Sequence, residues 1–162
     1  SLHVKAKPAP GLSIGVAATI RAQIETKDAT DTMERPAGDL GMKPSLVQFE
    51  EVEPGAVKTA QVEVFNNTDK PHTYSVASLW TEKVDRDVYL TAGYDELPDT
   101  AWMAREKSLE IPPGQSGVLH LTLTAPSDPA LQGKKWEELL LLQPEEGSSE
   151  FVRVRVEMKA KP

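Results

Sequence analysis

The sequence predicts an all-β protein: an immunoglobulin-like antiparallel β-sandwich of seven or more strands, with an extra N-terminal strand. Three observations predict it. Apolar residues recur at every second position in several segments, Pro-Gly or Asn-rich turns separate those segments, and no long stretch keeps an apolar repeat of 3.6 residues. The 13 prolines favour turns over helices, and 39% hydrophobic with 27% charged residues suits a folded domain.

The first element is "SIGVAATIRAQIE", in which Ile14, Val16, Ala18, Ile20, Ala22 and Ile24 share one face. Its opposite face is small at Gly15 and Ala17, so a second backbone can approach closely there. The apolar face must dock. It either adds an edge strand to its own sandwich, or it closes a preceding domain and pairs with another chain. Thr26 to Gly41 has no sustained periodicity and is rich in loop formers. The expected division is therefore an N-terminal strand and polar linker over 1–41 and the sandwich over 42–162.

Within 42–162 the pattern is regular. "LVQF" is a short strand, Glu53-Pro54-Gly55-Ala56 a turn, and "TAQVEVF" a strand with Ala60, Val62 and Val64 aligned. Asn66-Asn67 and Asp69-Lys70-Pro71 mark the next turn, and "HTYSVASLW" is expected to place Tyr74, Val76, Ser78 and Trp80 together. Thr81 to Ala104 is irregular, with one strand candidate at Val88 to Thr91. "SLEI" runs into Pro112-Pro113-Gly114-Gln115, where proline presets one central residue of a type II turn and glycine supplies the positive φ of the next. "VLHLTLT" follows, with Leu119, Leu121 and Leu123 on one side. "WEELLLLQ" has the length of a buried strand, and "FVRVRVEMK" sets Val152, Val154, Val156 and Met158 opposite Arg153, Arg155 and Glu157.

The two Pro-Gly turns echo each other. "FEEVEPGAVKTAQVEV" and "LEIPPGQSGVLHLTL" each set one between a short apolar segment and a strictly alternating one, as equivalent corners of a sandwich require. With "NNT" between them and a final pair of strands, the order of parts over about Lys43 to Lys161 resembles the immunoglobulin-like folds of PapD-like pilus chaperones and major sperm protein domains. The resemblance implies the fold, and a protein-binding role through sheet edges. No functional residue is carried over from that group.

Charge and composition narrow the partner classes. A formal charge of −7 repels phosphate backbones, so nucleic acid is not an expected partner. No run of 18 apolar residues is present to span a membrane as a helix. The absence of cysteine removes disulfides, thiolate metal sites and cysteine nucleophiles.

Catalytic sets are not evident. In Gly114-Gln115-Ser116-Gly117 the second glycine directly follows the serine, and the next residues form a strand rather than the helix a nucleophile elbow needs. His3, His72 and His120 share no ligand spacing, and the acidic loop from Asp85 to Asp99 lacks a calcium-loop pattern. Glu137 and Glu138 are strand neighbours that point to opposite faces, a poor start for paired acid and base. No enzyme activity, metal or cofactor is expected.

The function expected is a non-catalytic, extracytoplasmic binding or assembly module, acting in protein–protein interaction, adhesion or pilus-type assembly, and periplasmic, secreted or at the cell surface. It would meet a protein partner or neighbouring domain through its sheet edges. A carbohydrate-binding module is the alternative, motivated by aromatic residues in the irregular region. The candidate partner-binding residues are Gly15, Ala17, Tyr89, Tyr94 and Trp102.

Overall fold

In the computed structural model, which describes residues 35–162, both Pro-Gly turns form as the sequence requires. Gly55 takes φ +82° and Gly114 φ +70°. The Ala56 N–H reaches the Glu53 carbonyl at 3.0 Å, and the Gln115 N–H reaches the Pro112 carbonyl at 3.1 Å. The predicted N-terminal strand, with Gly15 and Ala17, lies outside the described residues.

Each turn joins a strand of one sheet to a strand of the other. The first connects β2 (Leu46–Val52) to β3 (Val57–Asn66), and the second connects β7 (Ser108–Ile111) to β8 (Ser116–Thr124). A four-stranded sheet has the order β1 (Leu40–Lys43), β3, β8, β6 (Met103–Arg105). The facing sheet has the order β2, β10 (Glu150–Met158), β9 (Lys135–Pro144), β4 (His72–Ser78), β7. β5 (Asp95–Glu96) pairs in parallel with the start of β9, where β4 has already left the sheet.

The echo in the sequence is thereby explained. β1-β2-β3 and β6-β7-β8 are two copies of one path, each leaving the four-stranded sheet, running along the other and returning through a Pro-Gly corner. Both outer strands of both sheets come from these two paths. β1 takes in Leu40 and Gly41, so the ladder starts two residues before position 42.

Alternation sets the core. Leu119, Leu121 and Leu123 of β8 and Val152, Val154 and Val156 of β10 are buried in one cluster with Val62, Val64, Tyr74 and Val76. Burying such side chains contributes roughly 1.5–3 kcal/mol each, which is what fixes the register. β9 is buried on both faces, which accounts for its unbroken "LLLL" run.

Two local expectations are corrected. Trp80 does not share a face with Tyr74 and Val76, because β4 ends at Ser78 and Leu79–Thr81 forms a 3₁₀ turn capped by the Ser78 hydroxyl. The turn carries Trp80 to the outer side of the six-stranded sheet, where it packs with Leu79 and Leu139 and donates from Nε1 to the Glu137 carbonyl at 2.9 Å. The strand candidate at Val88 to Thr91 falls instead on a helical turn, α1 (Arg86–Tyr89), where the Asp85 side chain caps the first turn by accepting from the Asp87 N–H.

Candidate functional site

An outer strand offers unpaired N–H and C=O groups, so what closes each outer strand decides where a partner strand could add. In the four-stranded sheet, β6 pairs only with Leu121 to Leu123. Beyond it the His120 N–H is taken by the Glu106 carboxylate, at 3.1 and 3.2 Å to its two oxygens. In the six-stranded sheet, the Lys58 ammonium donates to the Glu50 carbonyl at 2.7 Å, and Glu51 adopts φ +52° where the β2–β10 register slips. A bulge and a side-chain plug thus interrupt β2.

Among the described residues β7 carries no such plug along Ser108 to Glu110. The Val76 N–H donates to the Lys107 carbonyl at 2.9 Å, so Lys107, Leu109 and Ile111 turn their backbone groups toward β4. Alternation then turns the N–H and C=O of Ser108 and Glu110 to the open side, and both residues are exposed. A groove of about 320 Å3 lies at the far end of this strand, lined by Pro71, His72, Thr73, Glu110, Pro112 and Glu145, with Ile111 at its base. Glu110 stands opposite Thr73 on β4, and Glu145 follows Pro144, which stands opposite Tyr74. Glu110 and Thr73 are therefore neighbours on the outer face of the sheet, and Glu145, the first residue past β9, continues their row along the groove. The pairing of positions 72–75 with 108–111 and with the end of β9 spans long sequence separations, which is why sequence patterning alone did not single out this row.

The predicted aromatic residues do not converge. Tyr89 packs edge-on against Phe151 with ring centroids 6.2 Å apart, on the outer side of the six-stranded sheet. Tyr94 donates its hydroxyl to Glu157, and its ring is approached by Arg155 at 5.0 Å and Lys135 at 5.7 Å. Trp102 is half-buried and packs edge-on against Trp136 at 5.5 Å, on the core side. The six-stranded sheet lies between Trp102 and the two tyrosines. Gly15 and Ala17 fall outside the described residues.

The two central glutamates are buried on opposite faces of β9. Glu137 accepts from Arg153 at 2.7 Å, Arg155 at 2.8 Å and the Thr91 N–H at 2.8 Å. Burial works to raise its pKa; the Arg155 and Thr91 hydrogen bonds and the Arg153 charge outweigh that and hold it below the usual carboxylate range. Glu138 faces the core with Val154, its neighbour across the ladder, and burial pushes its carboxyl up to about 7. Among the described residues no group of three or more His, Asp or Glu side chains is placed to hold a metal ion, and no helix is long and apolar enough to cross a membrane.

No protein-family model matches the chain, and no curated protein matches it in sequence. Solved structures do match in fold. A PapD-like domain of human CEP192 superposes with a TM-score of 0.52 at 10% identity, covering 80% of this chain and 91% of that one. A putative carbohydrate binding protein from Bacteroides ovatus gives 0.58 at 14% identity over 76% of this chain, which spans 38% of that protein. A family 123 glycoside hydrolase from Clostridium perfringens gives 0.53 at 8% identity over 72% of this chain and 23% of that one. At these identities the likeness is one of fold: the chain has an immunoglobulin-like sandwich like that of PapD-like domains.

Proposed function

We propose that this sandwich is a non-catalytic binding or assembly module that accepts an extended segment of a protein partner along the open side of β7. The observation that carries this is the contrast between strands. Glu106 and the Lys58–Glu50 contact close their neighbours, whereas Ser108 and Glu110 present backbone donors and acceptors to solvent. Strand addition uses those groups for affinity and neighbouring side-chain sites for selectivity. Glu137 is committed to two arginines and Glu138 is enclosed in the core, so neither is presented to a substrate. An extracytoplasmic setting is supported by the resemblance to pilus chaperones, and a compartment reporter fused to the whole reading frame tests it.

Ser108→Pro is the direct test of the edge. Proline removes an N–H that faces solvent and obstructs an added strand without breaking the β4 ladder. Peptides selected from a random library on the folded chain should lose binding to this variant. Retained binding would overturn edge pairing. A carbohydrate-binding role is the second possibility, favoured by the likeness to the Bacteroides ovatus protein. Binding on a glycan array that survives Ser108→Pro would establish it in place of the first.

A further inference from the structure

We infer that the partner strand carries a lysine or arginine whose side chain lies in the groove between Glu110 and Glu145; this rests on pairing along β7. Glu110 and Glu145 line the groove, and among the described residues neither has an ion pair or side-chain hydrogen bond. Among the described residues no lysine or arginine lines the groove. Glu110 stands across the ladder from Thr73, and Glu145 follows the Pro144 that ends β9 opposite Tyr74, so the carboxylates flank Thr73 along the groove. A residue on a strand added outside β7 extends that row by one place. Its neighbour is then Glu110, and a long side chain lying inward over Thr73 also reaches Glu145.

The walls suit such a side chain. Pro71 and Pro112, side by side just beyond the His72–Ile111 pair, offer apolar surface to an aliphatic stem, while the carboxylates meet the charged head, the division of labour that lysine and arginine favour. Opposite charges directly across a strand pair attract, and like charges repel, so the same row rejects an acidic residue. The protein's formal charge of −7 adds a long-range bias toward a cationic segment.

The probes are capped heptapeptides Thr-Val-Thr-Xaa-Thr-Val-Thr with arginine, citrulline or glutamate at the centre, titrated against the full chain. The arginine peptide is expected to bind roughly three- to tenfold more tightly than the citrulline peptide, and the preference should shrink at high salt. Glu110→Gln and Glu145→Gln should each remove part of that preference while leaving the melting temperature close to that of the parent. Equal binding of the arginine and citrulline peptides, with both lost on Ser108→Pro, would overturn the basic residue and leave edge pairing standing. Arginine-dependent binding that survives Ser108→Pro but falls with Glu110→Gln would sink edge pairing and keep the groove. No binding by any peptide would refute both.

Discussion

The Ser78 hydroxyl donates a 2.7 Å hydrogen bond to Glu138 Oε1 inside the sandwich, tying the last residue of β4 to a carboxylate buried among valines and leucines. The Leu139 N–H shares the same oxygen at 2.9 Å, while Glu138 Oε2 and Arg105 Nε are both buried with no hydrogen-bond partner among the described residues. Burial dominates: it raises the carboxyl to about 7, against smaller opposing effects from the Ser78 hydrogen bond and the Arg105 charge.

That shift sets a pH dependence. The native carboxyl holds its proton more tightly than the unfolded chain does, so its contribution to stability is full below the unfolded value of 4.5 and declines as pH rises to about 7. The loss across that interval is on the order of 3 kcal/mol. Glu138→Gln cannot ionise and escapes it. Its melting temperature relative to the parent should therefore climb by several degrees from pH 5 to pH 8. A gap that is the same at both pH values would contradict the assignment.

The two corner glycines should respond differently. Both have positive φ, which costs a residue with a Cβ about 1–2 kcal/mol. A Cβ on Gly114 meets nothing within 4 Å, whereas one on Gly55 comes to 2.8 Å from the Ser127 hydroxyl. Gly55→Ala should thus lower the denaturant midpoint more than Gly114→Ala. At Gly114, asparagine should be tolerated better than valine, because asparagine visits the left-handed region more readily.

Leu121 is fully buried between β3 and β6, opposite Ala60 and Arg105. Leu121→Ala should cost about 2–5 kcal/mol in chemical unfolding. A loss below about half a kcal/mol would mean that the site collapses around the smaller side chain or that the register differs.

The strands were legible because one face of each had to be buried, and a period of two records that directly: Leu119, Leu121, Leu123 and Val152, Val154, Val156 all point inward. The Pro-Gly corners were legible because positive φ favours glycine. Trp80 was not, since a serine that caps a 3₁₀ turn looks like any other strand serine until the chain leaves the sheet. The glutamates of β9 were half legible. Alternation separates Glu137 from Glu138, but that both faces are covered follows only when the irregular region folds back over Leu139. Arg153 and Arg155, alternating on the closing strand, were the available signal for an anion beneath them. The groove beside β7 had no such signal, because Glu110 and Glu145 meet only through β4.

Glu137 should behave as the fastening of that covering region. Its carboxylate joins Arg153 and Arg155 of β10 to the Thr91 N–H, and Arg153 also donates to the Tyr89 carbonyl at 2.8 Å. Glu137→Leu removes the charge and leaves two guanidinium groups and an amide without their acceptor. Removing one partner of a buried pair costs about 3–5 kcal/mol, and the arginines, each roughly one-fifth exposed, reduce this by turning to water. About 2–3 kcal/mol is therefore expected, with the largest change in segment 79–96. Because the native carboxyl sits below its usual range, its contribution is present above the unfolded value of 4.5 and is lost as pH falls, opposite in sense to that of Glu138. Hydrogen exchange separates this from a general loss of stability. In Glu137→Leu the Thr91 amide should exchange much faster at neutral pH, while the β3 and β8 amides slow or hasten only as far as the global stability change dictates. Protection of Thr91 equal to that of the parent protein would show that the region is held by Trp80 and Leu79 packing alone.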